Sequence, residues 1–104
     1  MKHVKITIYI NESDKWQHCP LHLELLSMLD DNEIAGGTVL RAVAGFTYLH
    51  PVETTSLVDV GSKLPLVVQF IDTVEKIESV LPKVLSMVGS RLITREPVHV
   101  INGL

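Results

Sequence analysis

The residues with the most evident chemical potential lie in the segment 18–22, which reads His-Cys-Pro-Leu-His. Two imidazoles and a thiolate are ligands that zinc and other soft transition metals prefer. A metal hypothesis therefore assigns His18, Cys19 and His22 as ligands, with His50 as a further one. The proline of this segment is typical of a first helical turn. The alternative is thus an exposed helix entrance at which the histidines are incidental.

Three arginines are candidates for binding an anion. Arg41 lies in the middle of a predicted strand, where a charge must be paired or lie near an edge. It could hold an anion at a subunit junction or form an intersubunit salt bridge. Arg91 and Arg95 flank the last predicted strand. A guanidinium suits bidentate contacts with phosphate or carboxylate, and a solvated edge charge is the alternative.

Three ring side chains, Phe46, Tyr48 and His50, stand at the start of a long predicted loop. They could form a stacking platform for a nucleotide base, or they could pack the loop onto the body of the domain. No catalytic arrangement accompanies them in the sequence, which has neither a Gly-x-Ser-x-Gly elbow nor a Walker motif. We therefore expect a regulator rather than an enzyme.

The elements that position these residues follow from the hydrophobic pattern. Four segments have the alternation or the apolar run of a β-strand: 2–10, 38–44, 64–71 and 91–101. Helical spacing predicts a first helix from Pro20 to the Gly36-Gly37 pair and a second from an Asp72 N-cap to Gly89. Pro82 should kink or divide the second helix.

This order predicts an α+β, ferredoxin-like fold, β-α-β-β-α-β, with a four-stranded antiparallel sheet and two helices on one face. Residues 46–63 form a long loop, which is uncommon unless it has a function, and we expect its tip at 53–56 to be mobile without ligand. The third strand is apolar on both faces, and Tyr9, Val39 and Val43 add apolar groups to the face without helices. Because such a face is normally covered, the sequence predicts a homo-oligomer.

Composition narrows the class of protein. The 104 residues suit a single domain spanning 1–104. The net charge of −3 leaves no basic field for nucleic acid. A single cysteine excludes an intrachain disulfide, and no apolar run approaches the roughly 20 residues of a membrane span. We expect a cytoplasmic protein that is not inserted in a membrane.

The segment 36–46, Gly-Gly-Thr-Val-Leu-Arg-Ala-Val-Ala-Gly-Phe, resembles the second-strand motif of a group of small bacterial proteins. That group is regarded as PII-like and is called domain of unknown function 190. Residues 8–14 are similar to its first strand and turn, and residues 64–72 with 75–77 are similar to its third strand. The resemblance spans nearly the whole chain. It implies a trimeric PII-like signalling protein with a ligand cleft between subunits.

The same resemblance implies a binding site. PII proteins bind an adenine nucleotide at the base of their long loop, where a Gly-Phe-Gly motif stands and this chain has Gly-Phe-Thr. The threonine that matches Thr38 faces the nucleotide base, although its hydroxyl could instead cap the preceding glycine turn. Residues 89–91 fall where PII proteins have a glycine- and lysine-bearing turn. The implied ligand-binding residues are Thr38, Arg41, Gly45, Phe46, Thr47, Tyr48, Gly89, Ser90 and Arg91.

The leading hypothesis is a small-ligand-sensing regulator with no firm cofactor and an adenine nucleotide as its expected ligand. It would signal through residues 46–63 to a protein target such as a membrane transporter or a metabolic enzyme. The alternative is a divalent-cation-binding or metal-tolerance protein of the same fold, with His18, Cys19 and His22 as its site. A structural oligomer without a ligand is a third reading.

Overall fold

The computed structural model describes residues 2–54 and 63–104 of the chain. Its elements are β1 (His3–Asn11), β2 (Lys15–Trp16), β3 (Cys19–Pro20), α1 (Leu21–Asp31), β4 (Gly36–Arg41), β5 (Ala44–Thr47), β6 (His50–Thr54), β7 (Pro65–Thr73), α2 (Val74–Val88) and β8 (Ile93–Val98). Neither described helix has the length and apolar character that a membrane crossing requires.

The main sheet has four antiparallel strands in the order β4-β7-β1-β8. Its two central strands, β1 and β7, pair along their whole length, from His3 opposite Thr73 to Asn11 opposite Pro65. Strand β8 is an edge strand. This position is expected from Pro97, because proline has no backbone N–H to donate to a neighbouring strand. The predicted ferredoxin-like fold is confirmed.

The hydrophobic core lies between the sheet and the two helices. Its buried side chains are Val4, Ile6, Ile8, Ile10, Leu66, Val68 and Phe70 from the sheet, and Leu21, Leu25, Met28, Leu29, Ile77, Val80, Val84, Met87 and Val88 from the helices. A period of two in the strands and of three to four in the helices places each set on one face. Each fully buried side chain of this kind contributes roughly 1.5–3 kcal/mol, so this layer holds the fold together.

The opposite face of the main sheet, which we call the helix-free face, is covered by neither helix. Its side chains include Lys5, Thr7 and Tyr9 of β1, Thr38 and Leu40 of β4, Val67, Gln69 and Ile71 of β7, and Thr94 and Glu96 of β8. Val68 and Phe70 are fully buried on the helix side, whereas Val67 and Ile71 are half-buried on this face. The expected two-sided apolar character of β7 is therefore confirmed.

Two apolar residues expected on the helix-free face lie elsewhere. Val39 stands opposite Val68 in the ladder and packs against the core. Val43 lies beyond the end of β4 and is 78% exposed. The reason is the register of β4, which places Leu40 opposite Val67. Leu40, 51% exposed, is therefore the apolar side chain that β4 contributes to the helix-free face.

The first helix ends earlier than predicted, at Asn32 rather than at the glycine pair. The backbone N–H and the side-chain amide of Asn32 both donate to the carbonyl of Met28 and so close the last turn. The chain then reverses through Glu33, which adopts a φ of 59°. Gly36 and Gly37 begin β4 instead of ending α1.

The second helix is capped by Thr73 rather than by Asp72. The Thr73 hydroxyl oxygen accepts from the N–H of Lys76 at 3.3 Å. The buried Asp72 carboxylate is already occupied, because it accepts from the N–H groups of Ala35 and Thr73 at 2.9 and 2.6 Å. Asp72 thus joins the start of β4 to the end of β7.

The predicted loop over 46–63 begins with regular structure, so its assignment as a loop without secondary structure is wrong there. Strands β5 and β6 pair as a hairpin around a Tyr48-Leu49 turn, and Gly45 lies inside β5 instead of closing the preceding strand. Phe, Thr and Val favour strands, but the turn lacks the Asn-Gly or Asp-Gly signature that identifies a hairpin. Residues 55–62, with part of the tip predicted to be mobile, lie outside the described residues.

Helix α2 continues through the exposed Pro82 as a single helix from Val74 to Val88. Of the two outcomes expected for Pro82, a divided helix is therefore wrong, and a kink stays a prediction. Proline has no N–H to donate to the carbonyl four residues earlier.

We expect Pro82→Ala to raise the free energy of unfolding by about 1–3 kcal/mol, because alanine restores that bond. Urea denaturation followed by circular dichroism measures the change. Lys83→Ala, at the exposed neighbouring position, is the control, and a variant no more stable than the parent would contradict the prediction.

Candidate functional site

A polar turn follows β1 and closes on itself through short hydrogen bonds; we call residues 11–14 the acidic turn. The side-chain oxygen of Asn11 accepts from the N–H and the hydroxyl of Ser13 at 2.9 and 2.8 Å. The Asp14 carboxylate accepts from the N–H of Asn11 at 2.9 Å. Asn and Asp favour such turns because their side chains bond to nearby backbone. The turn is therefore a fixed point at the end of the central strand.

The acidic turn holds the returning end of the chain segment that connects β4 to β7. The N–H of Glu12 donates to the carbonyl of Leu64 at 3.0 Å, and the N–H of Leu64 donates to Glu12 Oε1 at 2.9 Å. One residue earlier, the carbonyl of Lys63 accepts from the side-chain amide of Asn11 at 2.9 Å. These three bonds fix where the segment rejoins the sheet.

The departing end of the same segment is held by the same carboxylate. Arg41 Nη2 donates to Glu12 Oε2 at 2.6 Å, and the N–H of Ala42 donates to the carbonyl of Pro65 at 2.9 Å. Glu12 therefore bridges Arg41 on the departing side and Leu64 on the returning side. Arg41 is therefore paired within its own chain, whereas the salt bridge expected as one alternative was between subunits.

The turn after α2, residues 89–91, reaches both the acidic turn and the β5–β6 hairpin. Arg91 Nε donates to Asp14 Oδ2 at 2.9 Å, and its Nη1 donates to the carbonyl of Val88 at 2.9 Å. The Tyr48 hydroxyl of the hairpin donates to the carbonyl of Ser90 at 3.1 Å. Gly89 adopts a φ of 60°, a conformation that glycine tolerates best. The acidic turn, the β5–β6 hairpin, the turn after α2 and the two ends of the segment between β4 and β7 thus meet at one end of the sheet.

A cavity of about 190 Å³ lies between this hairpin and the sheet. Gly45, Phe46 and Thr47 line it from β5, and Tyr9 and Val67 line it from the helix-free face. Among the residues that the structure describes, the lining contains no charged side chain. The cavity therefore suits a flat, largely apolar group better than a phosphate.

The predicted ligand-binding residues divide into three groups in the structure. Gly45, Phe46 and Thr47 line the cavity, and Tyr48 connects their hairpin to Ser90. Arg41 and Arg91 lie beside the acidic turn, where both are paired with carboxylates. Thr38 lies apart from them: it is exposed on the helix-free face opposite Gln69 and does not line the cavity.

Of the residues in the metal hypothesis, His18, Cys19 and His22 do not come together as a three-ligand metal site in the described structure, and the side chain of His50 lies outside what the structure describes. Gln17 and His18 have φ values of 50° and 68° and form the turn of the small β2–β3 hairpin, whereas His22 lies in the first turn of α1. Within residues 2–54 and 63–104, no three histidine, cysteine or acidic side chains come together as metal ligands would. His22 Nδ1 is buried, and the described chain gives it no hydrogen-bond partner.

The exposed thiol of Cys19 lies beside the carboxylate of Glu24. A hydrogen bond to the Glu24 carboxylate, followed by partial desolvation and the negative charge of Glu24, raises the pKa of Cys19. A metal ligand and a nucleophile must both be thiolate. The raised pKa of Cys19 therefore favours neither role.

The residues of the acidic turn were not among the predicted site residues, although they organise the site. Sequence reasoning treats Asn11 to Asp14 only as a polar break between elements. A local signal exists, because Asn and Asp three residues apart are typical of a side-chain-bonded turn. No local signal identifies the partners Leu64 and Arg91, which lie 52 and 77 residues further along the chain.

This sheet order, with two helices on one face and a hairpin inserted between β4 and β7, belongs to a fold that is also found in solved PII-like structures. The structure is similar to that of CPII, a nitrogen regulatory PII-like protein from Thiomonas intermedia K12, bound to ADP, AMP and bicarbonate. The TM-score is 0.66, the sequence identity is 14%, and the similarity covers 96% of this chain and 89% of CPII. A second CPII structure, bound to ADP and bicarbonate, gives a TM-score of 0.60 at 15% identity, with the same coverage.

The chain belongs to the DUF190 family, described as Uncharacterized ACR, whose model matches residues 3–100. The UPF0166 protein of Aquifex aeolicus is 32% identical over 96 residues, covering 92% of this chain and 90% of the relative. The UPF0166 protein MJ1524 of Methanocaldococcus jannaschii is 26% identical over 99 residues, covering 94% and 91%. The family predicted from the segment 36–46 is therefore confirmed.

The environment of Cys19 predicts how fast the thiol reacts. Because its pKa is raised, the thiolate fraction at pH 7.5 is smaller than for a free cysteine, and the pH profile of alkylation lies at higher pH. Glu24→Gln removes the negative charge, lowers the pKa, and should increase the iodoacetamide rate at pH 7.5 about twofold or more. Mass spectrometry measures the rate. Glu75→Gln, a carboxylate on the other helix, should leave it unchanged, and an equal rate in both variants would refute the assignment.

Proposed function

We propose that this protein is a non-enzymatic, PII-like regulator that binds an adenine nucleotide between subunits and signals through residues 46–63. The observation that carries the proposal is the cavity beneath the β5–β6 hairpin, at the base of this segment. An uncharged lining and the ring of Phe46 suit an adenine base, since aromatic side chains stack on base faces. The similar fold of CPII, which binds ADP and AMP, supports the same choice of ligand.

Two aromatic side chains of the hairpin support a site completed by a second subunit. Phe46 is 73% exposed and Tyr48 is 81% exposed in the single chain. Large aromatic side chains with this exposure are typical of surfaces that bind a ligand or a protein. A nucleotide at the subunit junction would cover part of both rings.

The assembly that we propose is a homotrimer formed through the helix-free face. Tyr9, Leu40, Val67 and Ile71 give this face an apolar region that no helix of the described chain covers. The cavity borders the same face through Tyr9 and Val67. Assembly and ligand binding would therefore share side chains.

Signalling then needs no chemistry beyond binding. A ligand that contacts the hairpin root favours one arrangement of residues 46–63 only as far as it binds that arrangement more tightly. Glu12 holds the chain on both sides of this segment, at Arg41 and at Leu64. A rearrangement of the β5–β6 hairpin on ligand binding would therefore change the segment itself rather than its attachment to the sheet. We propose a cytoplasmic setting and a protein target, a membrane transporter or a metabolic enzyme.

The nucleotide prediction is tested by titration calorimetry with AMP, ADP, ATP and cyclic AMP. We expect at least one of them to bind, and Phe46→Ala to weaken binding about fivefold or more through loss of stacking. Val52→Ala, which truncates a 65% exposed side chain on the same hairpin outside the cavity lining, is the matched control. Absence of heat from all four ligands at millimolar concentration would refute nucleotide sensing.

The assembly prediction is tested by sedimentation. We expect a particle of about three times the chain mass of 11.6 kDa. Leu40→Glu should dissociate it, because a carboxylate buried in an apolar interface loses its hydration. Leu23→Glu is the matched control: Leu23 is 54% exposed, close to the 51% of Leu40, but it lies on α1. A monomeric parent protein, or equal dissociation by both substitutions, would contradict an interface on the helix-free face.

A further inference from the structure

Both arginines at the candidate site are already occupied by acids of the same subunit. Arg41 Nη2 lies 2.6 Å from Glu12 Oε2, and Arg91 Nε lies 2.9 Å from Asp14 Oδ2. These are the two basic residues that the sequence offered for gripping phosphate near the cavity. Each pair is close to electrically neutral, so neither guanidinium offers a full positive charge to a ligand.

Both acids are held in place by bonds that do not involve the arginines. Glu12 accepts the N–H of Leu64 through its second oxygen, at 2.9 Å, and its side chain is only 23% exposed. Asp14 accepts the N–H of Asn11, and its side chain is 6% exposed. An incoming phosphate would therefore have to compete for each guanidinium with a carboxylate that remains in position.

The cavity itself adds no compensating positive charge, since its described lining is uncharged. Its volume of about 190 Å³ can receive a ring but offers nothing that neutralises a chain of phosphates. Contacts of the base would thus supply affinity, while each further phosphate would lose hydration without meeting a free positive charge.

We propose that Glu12 and Asp14 are specificity-determining residues that neutralise the arginines of the site and so select a nucleotide of low phosphate charge, a monophosphate over a triphosphate. This inference rests on the proposed nucleotide site and names the ligand class that it takes. Of these two acids, Glu12 can be substituted with the smaller loss of stability. Its partner Arg41 is 65% exposed, whereas Arg91 is 24% exposed and would be left partly buried without an acid.

The experiment compares AMP and ATP binding to the full-length protein by titration calorimetry, with EDTA present so that the nucleotide charge is defined. The parent protein should bind AMP more tightly than ATP. Glu12→Gln keeps an oxygen to accept the N–H of Leu64 but releases Arg41 from its ion pair. ATP affinity should rise about threefold to fivefold, the range of an exposed charge pair, while AMP affinity changes less.

Two further variants keep the result interpretable. Glu78→Gln is the matched control, because Glu78 forms an equally short 2.6 Å pair with Arg95 away from the cavity, and it should leave the ATP-to-AMP affinity ratio unchanged. The double variant Glu12→Gln with Arg41→Gln should lose the gain in ATP affinity, which a general loosening of the turn would not explain.

The outcomes separate this inference from the proposed function. A parent protein that binds ATP more tightly than AMP, or a ratio that Glu12→Gln leaves unchanged, overturns the charge selection while nucleotide sensing stands. A protein that binds neither nucleotide in any of the four forms overturns the proposed function and this inference with it.

Discussion

The carboxylate of Glu12 joins the two ends of the segment that connects β4 to β7, and the candidate site depends on this junction. Its two oxygens accept from Arg41 and from the N–H of Leu64, so the segment leaves and rejoins the sheet at a fixed separation. The exposed ion pair by itself contributes at most about 1 kcal/mol. The ion pair matters chiefly because it fixes positions: the hairpin and the cavity adjoin the two ends that Glu12 holds.

A second acid of the same turn connects this junction to α2. Asp14 is buried and binds both the N–H of Asn11 and the guanidinium of Arg91. Removing one partner of a buried pair costs about 3–5 kcal/mol, far more than an exposed pair contributes. The Arg91–Asp14 pair therefore contributes more to stability, and the more exposed Arg41–Glu12 pair costs less to break. The Asp14 carboxylate thus links the end of α2 to the end of the central strand.

Much of the fold could be predicted from the sequence, because its signals are local and periodic. The alternation of β1, the apolar run of β7 and the apolar stripes of both helices identified the elements and their order. The errors arise where a partner distant in the chain decides the outcome. Asp72 has the chemistry of an N-cap, but the N–H of Ala35, 37 residues away, engages it and leaves Thr73 to cap α2. Val39 changes face because strand pairing with β7 sets the register of β4.

The candidate site shows the same division between local and distant signals more sharply. The residues from Gly45 to Tyr48 could be identified because they form a contiguous stretch that resembles the loop-base motif of PII proteins. The net charge at the site could not be predicted, because a sequence does not show which acid pairs with which arginine in the folded chain. Arg41 and Arg91 suggest a grip on phosphate when counted alone, yet each meets a carboxylate from the acidic turn. A cavity with an uncharged lining beside neutralised arginines offers a ligand contacts of shape and stacking rather than charge, and the proposed nucleotide site rests on this feature.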